Sequence, residues 1–175
     1  MVPTTLVVLV VVPQPAPSLP SLPSSLPSLR AREPHDGRYL IVEERDGTFY
    51  LPAGRVEPGE NLVAAAVRET AEEAGVAIGL RGLLGFDHEE TPGRRKLRFG
   101  FVGDVAIDTP PKSRPDGHSR GAAWRSKAEL ATLPLRAPEV LTWIARYESG
   151  APLLPCSAYE WFGPPAPTAW NARLG

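Results

Sequence analysis

Three glutamates, Glu69, Glu72 and Glu73, stand at positions i, i+3 and i+4 of a run without Gly or Pro from Leu62 to Ala74. On a helix this spacing puts the three carboxylates on one face, with neighbouring Cβ atoms about 5–6 Å apart. Unassisted, they repel one another, by roughly a few tenths of a kcal/mol per exposed pair and more where partly buried. Arg68, four residues before Glu72, brings one positive charge, too little to neutralise three carboxylates. A hard divalent cation is sufficient: Mg²⁺ prefers carboxylate oxygen, keeps several waters and takes substrate phosphate in its remaining positions. The chemistry that such a face suits is the holding of a divalent cation that also meets phosphate.

The element that must position these groups reads as a loop feeding a helix. Pro58 and Gly59 are a turn signal, and Glu60 and Asn61 can accept hydrogen bonds from the first free N–H groups of the helix. The run that follows is rich in Ala and Glu and stops at Gly75, the residue best suited to a left-handed C-terminal cap.

Gly54, Glu60, Arg68, Glu69, Glu72, Glu73 and Gly75, followed by Val76, resemble in type and spacing the signature box of the Nudix hydrolases. Seven specified residues at average usage would coincide on the order of once in 10⁸ start positions. Thr70 departs from the pattern, in which an aliphatic residue is commoner; its methyl still offers a packing surface. The alternative reading is a solvated acidic helix face.

The resemblance implies an α+β fold, an α/β/α sandwich with a mixed, curled sheet between helices. It also implies hydrolysis of a nucleoside diphosphate linked to another moiety, with Mg²⁺ as cofactor and Mn²⁺ as a substitute. Glu69, Glu72 and Glu73 are the expected metal ligands, joined by the backbone carbonyl of Ala53, which precedes the first box glycine. Glu69 is also placed to orient or deprotonate the water, Arg68 to hold the carboxylates, and Glu60 to secure the loop or a second-layer water. Relatives often carry an acidic base a few residues before a Trp. Here Trp124 has no Glu in that place, so Asp116, His118, Glu89 and Glu90 all stand as candidates for the base.

Two features bear on substrate. Pro92 lies about as far past the box as a proline in the ADP-ribose pyrophosphatase group, although it also belongs to an ordinary Pro-Gly turn. The segments Leu51 to Glu60 and Leu135 to Leu141 resemble the branch acting on oxidised guanine nucleoside diphosphates. Phe49 and Tyr50, on opposite sides of a strand, are candidates to stack on a base, with core packing as the plainer role. Arg94 and Arg95 could receive phosphate, or form a solvated turn. A different class of function is a non-catalytic module that binds a nucleotide or ADP-ribose; erosion of the glutamates would mark it, and none is eroded.

Composition sets the remaining bounds. A chain of 175 residues with 42% hydrophobic residues suits one domain with a substantial core. A net charge of −1 offers no general attraction to polyanions, so the expected partner is a small nucleotide and not a nucleic acid. A single cysteine, Cys156, excludes an internal disulfide and fits a reducing, cytoplasmic setting. The apolar run at 6–12 has no basic residue before it and is far short of the ~20 residues of a membrane span, so it reads as a buried strand.

In chain order, strands are expected at 4–12 and 38–43, the second with Tyr39, Ile41 and Glu43 on one face. Residues 13–34, with prolines at intervals of three at Pro17, Pro20 and Pro23, read as an insertion within a domain at 1–150. It could dock on a Pro-binding partner, act as a flap near the substrate, or be a semi-rigid loop. Asp46-Gly47 marks a hairpin into a strand at 48–51; further strands are expected at 79–88 and 96–107, an irregular loop at 110–121, and a helix after Pro138 stopped by Gly150. The aromatic tail at 151–175 is expected to pack on the domain or on a partner, a homodimer included.

Overall fold

The computed structural model describes residues 3–16 and 35–163. Most of the proline-rich insertion, 17–34, and the end of the tail, 164–175, lie outside the described residues.

Strand β1 (Thr4–Val11) lies inside a sheet because both of its faces are apolar. Val8 and Val10 point to one core cluster and Leu9 and Val11 to another, all four fully buried. Its neighbours are β5 (Ala53–Arg55), antiparallel, and β7 (Arg94–Val105), parallel, and β7 pairs in turn with β6 (Ile78–Thr91). The resulting sheet, in the order β5-β1-β7-β6, is mixed. A second sheet is built on β3 (His35–Glu43), which pairs with β8 (Gly121–Ser126) along one edge and with β2 (Pro13–Pro15) and β4 (Phe49–Tyr50) along the other.

A helix covers each face. α1 (Leu62–Ala74) lays Leu62, Ala65, Ala66 and Ala74 against Val8, Val10, Leu40, Val42 and Phe101. α3 (Glu139–Glu148) lays Val140, Trp143, Ile144 and Tyr147 against Leu9, Val11, Tyr39 and Ile41. Each fully buried aliphatic side chain here contributes about 1.5–3 kcal/mol. Sheet between helices, with Tyr39 and Ile41 sharing a face, is the architecture expected from the sequence.

Element ends differ from the pattern-based expectation by a few residues, and local chemistry explains them. Pro13 and Pro15 form a short strand inside the expected insertion; lacking N–H groups, they are tolerated because β2 lies at an edge. The β6–β7 ladder runs past His88 to Thr91 and Arg94, where Gly93 at φ +77° closes a two-residue turn. α3 begins at Glu139, with Pro138 before it at φ −67°. After α3, Leu154 exchanges backbone hydrogen bonds with Leu83 of β6, and the Leu62 N–H donates to the Tyr159 hydroxyl at 3.5 Å. Among the described residues no helix is long and apolar enough to cross a membrane.

Candidate active site

α1 is fixed at both ends by groups that also shape the site. At its start the Asn61 side chain accepts from the Ala64 N–H at 2.8 Å, an N-cap worth about 1 kcal/mol. At its end Gly75 takes the left-handed conformation, φ +71°, and its N–H donates to the Ala71 carbonyl. The carbonyls that follow, otherwise orphaned, are served by the 110–121 loop. Lys112 Nζ donates to the Glu72 carbonyl at 2.7 Å, Ser119 Oγ to the Glu73 carbonyl at 2.6 Å, and the Lys112 N–H to the Ala74 carbonyl at 2.8 Å. Thr70, the departure from the box pattern, is buried, and its hydroxyl donates to the Ala66 carbonyl at 2.8 Å, so no polar group is stranded.

The box loop closes on the helix through Arg68. Its guanidinium grips Glu60 with two bonds, Nε to Oε1 at 2.8 Å and Nη2 to Oε2 at 2.9 Å. Nη1 lies 2.9 Å from Glu69 and 3.0 Å from Glu72, and Nη2 also donates to the Arg55 carbonyl at 3.0 Å. These bonds, that to Glu60 foremost, hold Arg68 firmly protonated. Burial pushes the Glu60 carboxyl upward, but the Arg68 bonds and the Glu57 N–H outweigh it and leave its pKa lowered.

Glu69 and Glu73 have the opposite electrostatics. Burial raises the pKa of Glu69 despite Arg68 beside it. Glu73 is pushed up to about 8 by burial, with the charges of Glu69 and Glu44 adding to the effect and the Ala53 N–H, which donates to Glu73 Oε2 at 3.0 Å, opposing it. Gly54 lets strand and helix approach this closely: a Cβ there would stand 1.9 Å from Glu69 Cδ.

Glu69, Glu72, Glu73 and Ala53 are thus brought together at the junction of β5 and α1. Among the described residues no three such side chains already stand as a converged metal-ligand set, because Arg68 spans Glu69 and Glu72 while Glu73 turns to the Ala53 amide. The donors themselves fit a hard divalent cation: they are carboxylate oxygens, and burial disfavours the charged form of two of the three when no cation is beside them.

The base candidates separate. Asp116 is enclosed by donors, Lys112 Nζ at 2.8 Å and the N–H groups of His118 and Ser119, which hold its pKa well below the usual carboxylate range. His118 is half-exposed, with Nδ1 3.8 Å from Glu72. Glu89 pairs with Lys96 and Arg98 and lines a cavity beside β5, whereas Glu90 pairs with Arg95 on the other side of the strand.

That cavity, about 640 Å³, adjoins Ala53 and Gly54. Arg55, Arg94, Lys96, Arg98 and Arg136 line it, with Glu89 and Glu139 as the two carboxylates. Phe49 does not line this cavity and is half-buried against the core. Tyr50 is buried; its hydroxyl donates to Glu139 at 3.0 Å, and the Arg136 guanidinium lies over its ring, 3.6 Å from the centroid. Burial and the Glu139 charge push the Tyr50 hydroxyl up to about 12, so it remains a donor at neutral pH. Of these groups, Arg98, Arg136 and Glu139 were missed by the pattern of the sequence. Arg136 and Glu139 had one signal, the segment Leu135 to Leu141, noted for its resemblance and not for its side chains; Arg98 had none.

A model of the NUDIX domain family matches residues 30–146. The mouse protein named 8-oxo-dGDP phosphatase NUDT18 is 41% identical over 107 residues, covering 58% of this chain and 32% of that protein. This chain therefore spans about a third of the length of that relative. Phosphatase NudJ of Escherichia coli O1:K1 / APEC is 31% identical over 133 residues, 72% of this chain and 86% of that protein. A solved NUDIX hydrolase from Nitrosomonas europaea superposes with a TM-score of 0.68 at 28% identity, covering 91% of this chain and 98% of its own.

Proposed function

This chain belongs to the NUDIX family, and from that premise we propose that it hydrolyses a phosphoric anhydride bond in a nucleoside diphosphate linked to another moiety. Water adds to one phosphorus, the bridging P–O bond breaks, and two phosphate-bearing products leave. The observation that supports this most is the position of Glu69 and Glu73 against the Ala53–Gly54 backbone, which itself lines a cavity rich in cations, with Glu72 tied to Glu69 through Arg68.

Glu69, Glu72, Glu73 and the Ala53 carbonyl would hold Mg²⁺. When bound, the ion neutralises phosphate charge and makes a bound water more acidic. Arg68 keeps Glu69 and Glu72 in place and ties both to the Glu60 loop. The cations of the cavity bind and orient the phosphate chain, Arg94 and Arg55 at its exposed mouth. For the base we favour Glu69, which lies beside Gly54, over Asp116, which already accepts from Lys112 and from the His118 and Ser119 N–H groups. The likeness to NUDT18 supports a guanine nucleoside diphosphate, oxidised or not, as substrate over ADP-ribose. The domain is taken as 1–150 with its proline-rich insertion, and the setting as cytoplasmic.

The test is nucleoside monophosphate release from GDP, 8-oxo-dGDP, ADP-ribose and dinucleoside polyphosphates, each with Mg²⁺ and with EDTA. Release on one class, abolished by EDTA, is expected. Tight binding with no release from any would point to a binding module.

A further inference from the structure

A second, smaller cavity, about 160 Å³ against about 640 Å³ for the first, lies beside the 110–121 loop. Ile41 and Phe49 give it apolar walls, and Lys112, Arg120 and Arg125 stand there against one carboxylate, Glu43. The two arginines have donors to spare. Arg120 Nη1 lies 3.4 Å from Glu43, Arg125 Nη1 lies 3.4 Å from Glu129, and Arg125 Nε is buried with no hydrogen-bond partner among the described residues. Each guanidinium carries five N–H groups in a planar fork that matches phosphate, so the cavity suits an anion.

Its position relative to the acidic turn decides which anion. On one side of that turn Ala53 and Gly54, which line the larger cavity, meet Glu73 and Glu69. On the other, Lys112, which lines the smaller one, donates from Nζ to the Glu72 carbonyl, and Ser119, next to Arg120, donates to the Glu73 carbonyl. The cavities also share a wall: the N–H of Arg136, in the larger, donates to the carbonyl of Phe49, in the smaller, at 3.0 Å. Ile41 packs under α3 with Leu9, and Val7 of the larger cavity shares Leu9's face of β1, so both cavities lie on the same side of the sheets.

We propose that the smaller cavity receives the phosphorylated leaving moiety of the substrate while the nucleoside occupies the larger one, so that the bond to be cleaved lies over the turn between them. This rests on the hydrolytic reading above. The bridging P–O bond breaks, the oxygen of water completes one phosphate and the bridging oxygen the other, and the two protons of water pass to the base or to solvent. The phosphate of the leaving moiety thereby gains one negative charge, which Arg120 and Arg125 meet with unspent donors. The small volume admits phosphate itself or a sugar phosphate and shuts out a second nucleoside.

Binding tests this apart from turnover. Titration calorimetry in EDTA on the full chain uses GMP, glucose 1-phosphate with inorganic phosphate as its minimal form, and the intact GDP-glucose and GDP. Glucose 1-phosphate or phosphate should bind protein already saturated with GMP, and should be excluded by the corresponding intact nucleotide. Arg120→Ala removes a half-exposed side chain, so the fold should persist. It should weaken glucose 1-phosphate, phosphate and the intact nucleotides at least about tenfold and leave GMP affinity unchanged. Exclusion by GMP would place both ligands in one cavity, and binding alongside GDP-glucose and GDP would make the second cavity a separate site; either overturns the proposal, as does failure of both small anions to bind. The predicted pattern in a chain that releases no product with Mg²⁺ would support the two-cavity assignment and count against hydrolysis alone.

Discussion

Arg68 and Glu60 are joined by two parallel N–H···O bonds, at 2.8 and 2.9 Å, across eight residues of chain. The same guanidinium reaches Glu69, Glu72 and the Arg55 carbonyl, so one side chain links the box loop, strand β5 and the acidic face of α1. Lysine cannot reproduce this fork. Arg68→Lys should lose about 1.5–3 kcal/mol of stability and at least about tenfold in kcat/KM. Thermal denaturation and steady-state kinetics check both values, and a variant with wild-type stability and kcat/KM would remove Arg68 from this role.

Gly54 sits where a Cβ would come within 1.9 Å of Glu69. Gly54→Ala must push Glu69 or the strand aside, at a cost of about 1–3 kcal/mol. Turnover should fall more than nucleotide affinity does, because the displaced group is a carboxylate of the acidic face and not a lining cation. Parallel measurement of kcat and of nucleotide Kd distinguishes the two.

Ser119 is fully buried, and its hydroxyl donates to the Glu73 carbonyl at 2.6 Å. Ser119→Ala strands that carbonyl and should cost about 1–3 kcal/mol in thermal denaturation. Since Glu73 rides on the affected turn, the Mg²⁺ concentration giving half-maximal activity should rise as well. A destabilised variant with an unchanged Mg²⁺ requirement would restrict the loop to a structural role.

Glu129, in the short helix α2 (Lys127–Leu130), accepts from the Ser126 N–H and hydroxyl, both at 2.8 Å, which brings its pKa down to about 2. Its folded pKa lies below the unfolded value of 4.5, so its stabilisation is complete above pH 4.5 and is lost as pH falls towards 2. Glu129→Gln should melt below the wild-type protein at pH 7, with the gap narrowing steadily between pH 4.5 and 2. A gap constant across that window would show that the charge of Glu129 contributes nothing.

The acidic helix could be read from the chain because its signals are local: Asn61 and Gly75 cap it, and Glu69, Glu72 and Glu73 fall on one face by periodicity alone. The two-sided burial of β1 was legible for the same reason, in an unbroken apolar run. Boundaries at Pro13 and Pro15 were not, since tolerance of proline depends on which edge of the sheet the strand occupies. The cavity was least legible. Tyr50, Arg98 and Glu139 converge from elements 41 to 89 residues apart, and nothing local in any of them announces the other two. Asp116 stood among the base candidates in an irregular loop; only the fold reveals that Lys112, His118 and Ser119 enclose it.

The most direct test is Mg²⁺-dependent release of nucleoside monophosphate by the wild-type chain and by Glu73→Gln, with circular dichroism on both. Gln retains a carbonyl for the Ala53 N–H, so the fold should persist. Release by the wild-type protein that EDTA abolishes, and that is lost in a folded Glu73→Gln, is the expected result. Wild-type rates in Glu73→Gln, or rates indifferent to EDTA, would contradict a carboxylate-held metal as the basis of the reaction.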